Sequence, residues 1–431
     1  MTTFQATFLL LDLALILLLS QVCGGIARRL GQPSVIGEVI GGILAGPTLL
    51  GTVSTTLFPM EVRPFLTALA NVGVAVFMFL VGLELNQSTM REQGRIAVSV
   101  ALSSIILPLS LGICLALFLV QRHAPEHRLG FLLFVGAAMS VTAFPVLARI
   151  LTDRGLHRTT LGGLALACAA IDDVLAWSLL AVVVTIAGSG GAGQWLLLTI
   201  VPYLALMLGV VRPLLRRYLA RVTTITPGLL AKVFVGALLS GAATEWMGLH
   251  FLFGTFLFGV LIPREGTRRL RHGIVDSTER LNGALLLPVF FVVAGFKVDL
   301  STDADGLIEL ALILLVAITG KFGGAFLAAR LNRLPKRQSA MLAILMNTRG
   351  LTEIIILMVG LQLGLLDTGL YSMLVVMAVV TTAMAGPLLH LAGLRNPIGQ
   401  PDGEPVDHGE IEPTELATST AGTPAPARND D

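Results

Sequence analysis

The chain has few charged residues for its length. Asp, Glu, Lys and Arg make up 13% of its 431 residues, against about a quarter in an ordinary soluble domain. Hydrophobic residues make up 55% of the chain, and the mean hydropathy is +0.84. These values exclude a soluble globular enzyme. The formal net charge of +2 also argues against a nucleic-acid-binding protein.

Cysteine is scarce as well. The three cysteines, Cys23, Cys114 and Cys168, lie in or at the edge of apolar runs. Their odd number and their spacing predict neither a disulfide framework nor a metal site built from cysteines. We expect no cofactor.

Long apolar runs follow one another through most of the chain. A membrane-spanning helix takes about 20 apolar residues, so the chain has room for a dozen or more. We predict an all-α polytopic membrane protein with thirteen transmembrane helices, at about 5–24, 34–51, 65–85, 96–120, 129–151, 159–187, 194–215, 226–246, 249–262, 281–296, 307–330, 338–363 and 371–394. The second and ninth runs are short and glycine-rich, so hydropathy alone leaves open that they are re-entrant.

Basic residues set the predicted orientation. Cytoplasmic loops carry an excess of Lys and Arg, and most basic residues of the predicted loops follow odd-numbered spans. The N-terminus is therefore predicted to lie outside and the C-terminus in the cytoplasm. Residues 1–394 form the predicted transmembrane domain. Residues 395–431 are rich in Pro, Gly, Thr and acidic residues, which predicts a disordered cytoplasmic tail.

The chain contains a weak internal repeat. Val35–Pro47 resembles Leu252–Pro263, and Phe77–Leu85 resembles Phe290–Val298. Spans 2 and 3 therefore match spans 9 and 10, a shift of seven. An odd shift gives opposite orientations, which is the inverted repeat of many secondary transporters; the alternative is that two glycine-rich apolar helices look alike by chance. The predicted units are a first repeat at about 5–187, a linking helix at about 194–215 and a second repeat at about 226–394.

Spans 5 and 12, which pair under the same shift, both contain a polar interruption. Span 5 includes Met139–Pro145, where proline removes a backbone donor, and span 12 includes Met346–Gly350. Unwound backbone at membrane depth survives only where it is buried in protein or lines a wet cavity. Two broken helices that cross at the midplane would bring half-helix ends together, a natural ion site. The alternative is a proline kink in one helix and a polar turn in the other.

Two consecutive carboxylates, Asp172 and Asp173, lie in the middle of span 6. At 1.5 Å per residue they are ~20 Å from the start of the span, close to the bilayer centre. Each ionised acid there costs a few kcal/mol or more. Neighbouring residues point about 100° apart on a helix, so one can face a countercharge while the other faces water. The alternative is a pair of acids that is neutralised for structure alone.

Lys321 in span 11 is the candidate countercharge, because it is a lone charge deep in an apolar run. A Lys and a carboxylate about 4 Å apart attract by roughly 4 kcal/mol at an effective dielectric constant near 20. Arg349 lies one helical turn before Glu353, and we interpret that pair as mostly structural. Other ionisable residues in or near the spans are expected to be interface or packing residues, namely Asp12, Glu38, Lys232 and Glu245.

Several motifs together resemble the monovalent cation:proton antiporter-2 family, closest to the branch of plant endomembrane cation/proton exchangers and their bacterial relatives. The motifs are Val35–Gly42 with Gly46-Pro47, Phe79–Glu84, Ser140–Arg149, Asp172-Asp173, Gly320-Lys321 and Met346–Glu353. The resemblance covers residues 5–394. It implies a thirteen-helix sodium/proton antiporter-like fold with a dimerisation domain and a mobile core domain, and hence a homodimer.

The resemblance also implies a role for each site residue. Asp173 would bind the cation or the proton in turn, and Asp172 would pair with Lys321; the Na⁺ or K⁺ ligands would thus be Asp173 and Asp172. Glu353 would support the site through Arg349. The crossed breaks would be formed by Ser140, Thr142, Phe144, Asn347, Thr348, Arg349 and Gly350. The family's potassium-efflux members carry a nucleotide-binding domain after the last helix, and the tail here shows no such pattern.

The expected function is antiport of a monovalent cation and protons across the cell membrane, with a role in pH homeostasis and no enzymatic step. A carboxyl group in a low-dielectric cavity holds a proton more readily than one in water, so Na⁺ or K⁺ and H⁺ compete for it. A passive cation channel or a cation symporter of similar topology is the alternative. An intramembrane aspartyl protease needs two facing acids on separate helices, whereas these two acids are consecutive on one helix.

Overall fold

All regular structure in the described part of the chain is helical. The computed structural model describes residues 2–84, 94–123, 125, 127–153, 156, 159–187, 193–222, 224–247, 250–263, 267–300 and 304–391. The predicted tail, 395–431, lies outside the described residues. The helices are α1 (Thr3–Arg29), α2 (Ser34–Ala45), α3 (Pro47–Leu50), α4 (Thr52–Leu57), α5 (Arg63–Glu84), α6 (Gly94–His123), α7 (Arg128–Ser140), α8 (Phe144–Asp153), α9 (Thr160–Ala187), α10 (Gly193–Leu206), α11 (Arg212–Leu219), α12 (Pro227–Trp246), α13 (Phe251–Leu261), α14 (Arg268–Leu281), α15 (Leu287–Phe296), α16 (Ala304–Leu331), α17 (Lys336–Met346), α18 (Leu351–Gln362) and α19 (Thr368–Leu391).

The helices confirm the predicted all-helical membrane class. Within the described ranges, nine helices are long and apolar enough to cross a membrane, and four further apolar helices are shorter. Each predicted span coincides with one helix or with two helices in series. Short π-helical turns, Met207–Val211 and Asn282–Leu286, join α10 to α11 and α14 to α15, so that both pairs form continuous rods.

Two predicted boundaries differ from the structure. The second span was expected to run to residue 51, but α2 ends at Ala45 because Gly46 is extended. Pro47 explains this end, since a proline disfavours helical backbone in the residue before it. The tenth span was expected to begin at 281, but its helix begins at Arg268. Hydropathy detects the apolar part of a helix and misses a charged, amphipathic extension of it.

Side-chain caps fix where several helices start. Thr2 accepts a hydrogen bond from the backbone of Gln5, whose side chain bonds back to the Thr2 amide. Thr226 accepts from the Leu229 amide ahead of α12, whose first residue is Pro227. These residues satisfy backbone donors that have no partner within the helix, so the ends of the rods are defined locally.

Close glycine contacts reproduce the internal repeat. Gly42 packs so tightly against α15 that an added Cβ atom would collide with the backbone of Val292 and Gly295. The aligned residue of the second repeat, Gly259, packs in the same way against the backbone of Phe79 and Gly82. Phe79 is itself aligned with Val292, and Gly82 with Gly295. The contact of Gly42 with α15 and the contact of Gly259 with α5 therefore join aligned residues of the two segments in the same way.

The helices fall into two groups by their contacts. Helices α1, α2, α5, α12, α13 and α15 pack mainly with one another, and α6, α7, α9, α16, α17 and α19 pack mainly with one another. Each group contains helices from both of the predicted repeats. The predicted ion-binding carboxylates, Asp172 and Asp173 on α9, and their predicted countercharge Lys321 on α16 lie in the second group.

A charged cluster ties three elements together at one end of the second group. His123, the last residue of α6, places Nδ1 2.5 Å from an Asp367 carboxylate oxygen and Nε2 3.4 Å from a Glu309 oxygen. Arg122 lies 3.6 Å from Glu309 and 3.7 Å from Asp305. The Nδ1 contact is a hydrogen bond, and the Nε2 contact is at ion-pair distance, so the two carboxylates together stabilise the imidazolium form of His123.

The cluster predicts a pH-dependent stability. Burial alone would lower the pKa of His123, but its two carboxylate neighbours outweigh burial and raise the pKa above the ordinary value of 6.5. The stabilisation is therefore complete below that value and is lost as pH rises through the raised pKa. We expect the melting temperature of wild type to exceed that of His123→Gln at about pH 6, and the difference to shrink by about pH 9. Thermal unfolding of purified protein across this range measures it.

The exposed His272 provides the matched control. His272→Gln should not change the pH dependence of the melting temperature. A constant difference between wild type and His123→Gln at every pH would contradict the bridging role of His123.

Candidate functional site

Two interrupted helices meet in the second group. Backbone Val141–Ala143 is non-helical between α7 and α8, and backbone Asn347–Gly350 is non-helical between α17 and α18. The Ala143 amide donates to the Thr348 carbonyl at 3.1 Å, and the Thr142 hydroxyl donates to the Met346 carbonyl at 2.9 Å. Each break thus satisfies backbone groups of the other.

Local sequence explains both interruptions. Pro145 is the second residue of α8, where its missing N–H costs nothing. An unbroken helix from α7 to α8 would need that N–H to bond to the Val141 carbonyl, so proline prevents the two helices from being continuous. Gly350 lies where an added Cβ atom would be 2.6 Å from the Val146 side chain. Only glycine leaves room for the two breaks to approach this closely.

Asp172 and Lys321 form an ion pair beside the first break. Lys321 Nζ is 3.2 Å from Asp172 Oδ2, and both side chains are fully buried. The same ammonium donates to the Thr142 hydroxyl at 2.6 Å and to the Ser104 hydroxyl at 3.1 Å. Asp172 also accepts from the Thr142 amide at 2.6 Å. Both charges therefore have the partners that burial in a low-dielectric interior requires.

Asp173 lies in a different environment from its neighbour. It is 4% exposed, and within the described residues neither of its carboxylate oxygens accepts a hydrogen bond of normal geometry. The backbone amide of Phe144, at the N-terminus of α8, is near enough to stabilise its charge. An ionised carboxylate that is buried without a full partner is costly, so this group is suited to take up a proton or a cation.

Arg349 links the two breaks through its guanidinium group. It donates to the Ala138 carbonyl at 3.0 Å and to the Met139 carbonyl at 2.7 Å, which are among the last carbonyls of α7. Its Nη1 is also 2.7 Å from Glu353 Oε1. The positive charge therefore lies at the partially negative C-terminal end of a half-helix, a role that the sequence interpretation of the Arg349 and Glu353 pair did not include.

The remaining predicted site residues contribute in different ways. The Ser140 hydroxyl donates to Ala137, and the Thr348 hydroxyl donates to Leu345, each within its own turn. Asn347 is buried, and its Oδ1 has no hydrogen-bond partner within the described residues. The Ser140 and Thr348 hydroxyls therefore bond locally, whereas the Asn347 side-chain oxygen is buried and remains available for a ligand.

Two site residues were missed by the sequence analysis. Ser104 on α6 accepts a hydrogen bond from Lys321, and Thr382 on α19 bonds to the backbone of Arg349. Serine and threonine are common in membrane helices because their hydroxyls can bond to their own backbone. The one sequence signal that could have identified Thr382 is the internal repeat, because it aligns span 13, which contains Thr382, with span 6, which contains Asp172.

The charges of the site do not balance. Asp172, Asp173 and Glu353 are three acids, Lys321 and Arg349 are two bases, and all five are buried. With every group ionised, the site is therefore one positive charge short. Within the described part of the chain, no group of three His, Cys, Asp or Glu side chains forms a transition-metal site. The missing charge fits a proton or a monovalent cation.

The chain is similar over most of its length to several named proteins. It is 38% identical over 409 residues to the Na⁺/H⁺ antiporter NhaS4 of Synechocystis, with 90% of this chain and 98% of NhaS4 covered. It is 36% identical to cation/H⁺ antiporter 20 of Arabidopsis thaliana and 30% identical to K⁺/H⁺ antiporter 1 of Saccharomyces cerevisiae. The matches cover 89% and 96% of this chain, but only 48% and 51% of those two proteins. The chain thus spans about half the length of the plant and yeast relatives and nearly the full length of NhaS4.

A solved structure supports the fold. The sodium proton antiporter MjNhaP1 of Methanocaldococcus jannaschii superposes with a TM-score of 0.60 at 16% identity, covering 92% of this chain and 100% of MjNhaP1. At this identity the likeness concerns the fold alone. The family model for the transmembrane part of sodium/hydrogen exchangers matches residues 14–392. The chain therefore belongs to the sodium/hydrogen exchanger family of membrane proteins.

Proposed function

We propose that this protein exchanges a monovalent cation, K⁺ or Na⁺, for protons by alternating access, with Asp173 binding the two in turn. The observation that carries the proposal is the single missing positive charge beside two crossed helix breaks. Relatives named as Na⁺/H⁺ and K⁺/H⁺ antiporters support the class of substrate. No covalent step is required.

Competition at one carboxylate is what couples the two ions. A site with Asp173 ionised carries net negative charge, and moving that charge through a low-dielectric barrier is costly. A bound proton or cation removes the cost, but both occupy the same carboxylate. Only a loaded site crosses readily, so each cation that moves one way is matched by proton movement the other way. A passive channel lacks this requirement.

The Asp172 and Lys321 pair permits two versions of the exchange. In the first version, Lys321 releases its proton when the cation enters and Asp172 helps to bind the cation, so two protons exchange for one cation. In the second version, the pair is a structural clamp and one proton exchanges for one cation. The contact at 3.2 Å is compatible with both versions. The paired acids favour the first, because a buried Lys loses its proton readily once its partner is engaged elsewhere.

The same proposal includes the organisation of the protein in the cell. Residues 1–394 form the transport domain, with the repeats at 5–187 and 226–394 and the linking helix at 194–215. The N-terminus is outside and the C-terminal tail is in the cytoplasm, as the basic loops indicate. The family favours a homodimer in the plasma membrane. Exposed apolar residues on α1, such as Leu10 and Leu18, provide surface for lipid or for a second copy.

Asp173→Asn tests the central residue. This change keeps the shape of the side chain but removes the exchangeable charge, so we expect loss of all cation-driven proton movement with normal folding. The measurement is dequenching of a pH dye in proteoliposomes on addition of K⁺, Na⁺, Li⁺ or choline. Asp172→Asn should instead slow or uncouple exchange, because removal of one partner of a buried ion pair costs about 3–5 kcal/mol.

Thr185→Val is a matched control for this experiment. Thr185 lies on the same helix, and its hydroxyl donates to the Ala181 carbonyl of the preceding turn. The control should exchange cations at the wild-type rate. Exchange that persists in Asp173→Asn would exclude Asp173 as the binding residue, and cation flux without proton movement in wild type would favour a channel.

An imposed membrane potential separates the two stoichiometries. If two protons exchange for one cation, transport carries net charge, so a potential at zero pH gradient should drive it. We expect the wild-type rate to follow the potential and Lys321→Gln to lose that dependence. Potassium and valinomycin set the potential while a sodium indicator reports Na⁺ movement. A rate that ignores the potential, together with full activity in Lys321→Gln, would reject the two-proton version.

A further inference from the structure

Thr382 makes an unusual contact with the second helix break. It lies on α19 and is buried. Its Oγ1 accepts from the Arg349 amide at 3.0 Å and is 2.7 Å from the Arg349 carbonyl oxygen, to which it donates. The Ala378 carbonyl of its own helix is a second acceptor, also at 2.7 Å. A hydroxyl has one hydrogen, for which the two carbonyls compete, but its bond from the Arg349 amide does not depend on that choice. One hydroxyl therefore contacts both backbone polar groups of the same unwound residue, and the amide is the group that it always satisfies.

The internal repeat gives this contact a counterpart. Asp172 on α9 accepts from the Thr142 amide in the first break, as Thr382 on α19 accepts from the Arg349 amide in the second. In both repeats, the helix that follows the broken one supplies a side-chain acceptor to an unpaired N–H. The difference is charge, because the acceptor is a carboxylate in the first repeat and a neutral hydroxyl in the second.

Fixing the Arg349 backbone also fixes its guanidinium group. That group donates to Ala138 and Met139 at the end of α7, three residues before the unwound Thr142. A shift of the Arg349 backbone would therefore disturb the first break as well as the second. The first break lies beside Asp173 through the Phe144 amide, and the Ala143 amide joins it to the Thr348 carbonyl of the second break at 3.1 Å. The geometry offered to a cation at Asp173 therefore depends on the second break, which includes the Arg349 backbone.

We propose that Thr382 is a positioning residue of the transport site, which holds the second break at the geometry that binds the cation. The inference rests on the proposed function of Asp173. Loss of the hydroxyl leaves a buried amide without its acceptor, a cost that corresponds to about a tenfold change in an equilibrium constant. The change should appear mainly in the apparent KM for the cation, because the charged groups are intact.

The test compares Thr382→Val, Thr382→Ser and Thr381→Val in proteoliposomes. Thr381 is the matched control, since it is buried next to Thr382 but its hydroxyl donates at 2.7 Å to Met377 of its own helix. We expect Thr382→Val to raise the apparent KM for the cation about tenfold, with a smaller change in maximal rate. Thr382→Ser keeps the hydroxyl and should stay near wild type, as should Thr381→Val.

Two results would overturn the inference. One is an unchanged KM in Thr382→Val; the other is an equal rise in KM in Thr381→Val. If Thr382→Val does not fold, Thr382→Cys replaces it. A thiol is a weaker hydrogen-bond acceptor than a hydroxyl, so this variant should still raise the KM for the cation. An unchanged KM in Thr382→Cys would then reject the inference. The activity of Asp173→Asn in the same assay distinguishes rejection of the role of Thr382 from rejection of the proposed function. An inactive Asp173→Asn with an unaffected Thr382→Val would reject only the role of Thr382.

Discussion

The structure depends on one constraint, which is that charges at membrane depth must be compensated by other groups of the same protein. Lys321 has a carboxylate and two hydroxyls, and Arg349 has a carboxylate and two carbonyls. Among the described residues, Asp173 has no comparable set of partners. Breaking any compensated pair would strand a buried charge, so the pairs hold four groups in place. The fifth group is left available for an ion that arrives from solution.

The helix breaks supply part of this compensation from the backbone. Unwound backbone at Thr142 and Arg349 exposes amides and carbonyls that would otherwise be used within helices. The Thr142 amide reaches Asp172, and the carbonyls at the end of α7 reach Arg349. Tight glycine contacts in the other helix group, such as Gly42 against Gly295, involve no charge. The second group has such contacts too, for example Gly324 of α16 against the Ser103 backbone of α6, and it carries the polar network of the site in addition.

The sequence predicted the charged residues of the site better than its hydroxyls. Asp172, Asp173 and Lys321 were identified because a charge stands out in an apolar run, and the structure places them together. Ser104 and Thr382 carry no such signal, because a hydroxyl can bond to its own helix, as Thr381 does. The contact of Arg349 with α7 could not be predicted, because its acceptors there are backbone carbonyls, which no residue type marks in the sequence. Hydropathy predicted the positions of the apolar helices, but it did not predict the charged first part of α14, which begins at Arg268.

The central claim is that a cation and a proton compete for Asp173. Purified protein in weakly buffered detergent, with a soluble pH dye, tests this without any membrane or gradient. Addition of NaCl or KCl should release protons from wild type, saturating with the cation concentration, whereas choline chloride should release none and Asp173→Asn should not respond. Cation binding that is detected by calorimetry without proton release, or equal release from Asp173→Asn, would contradict the account.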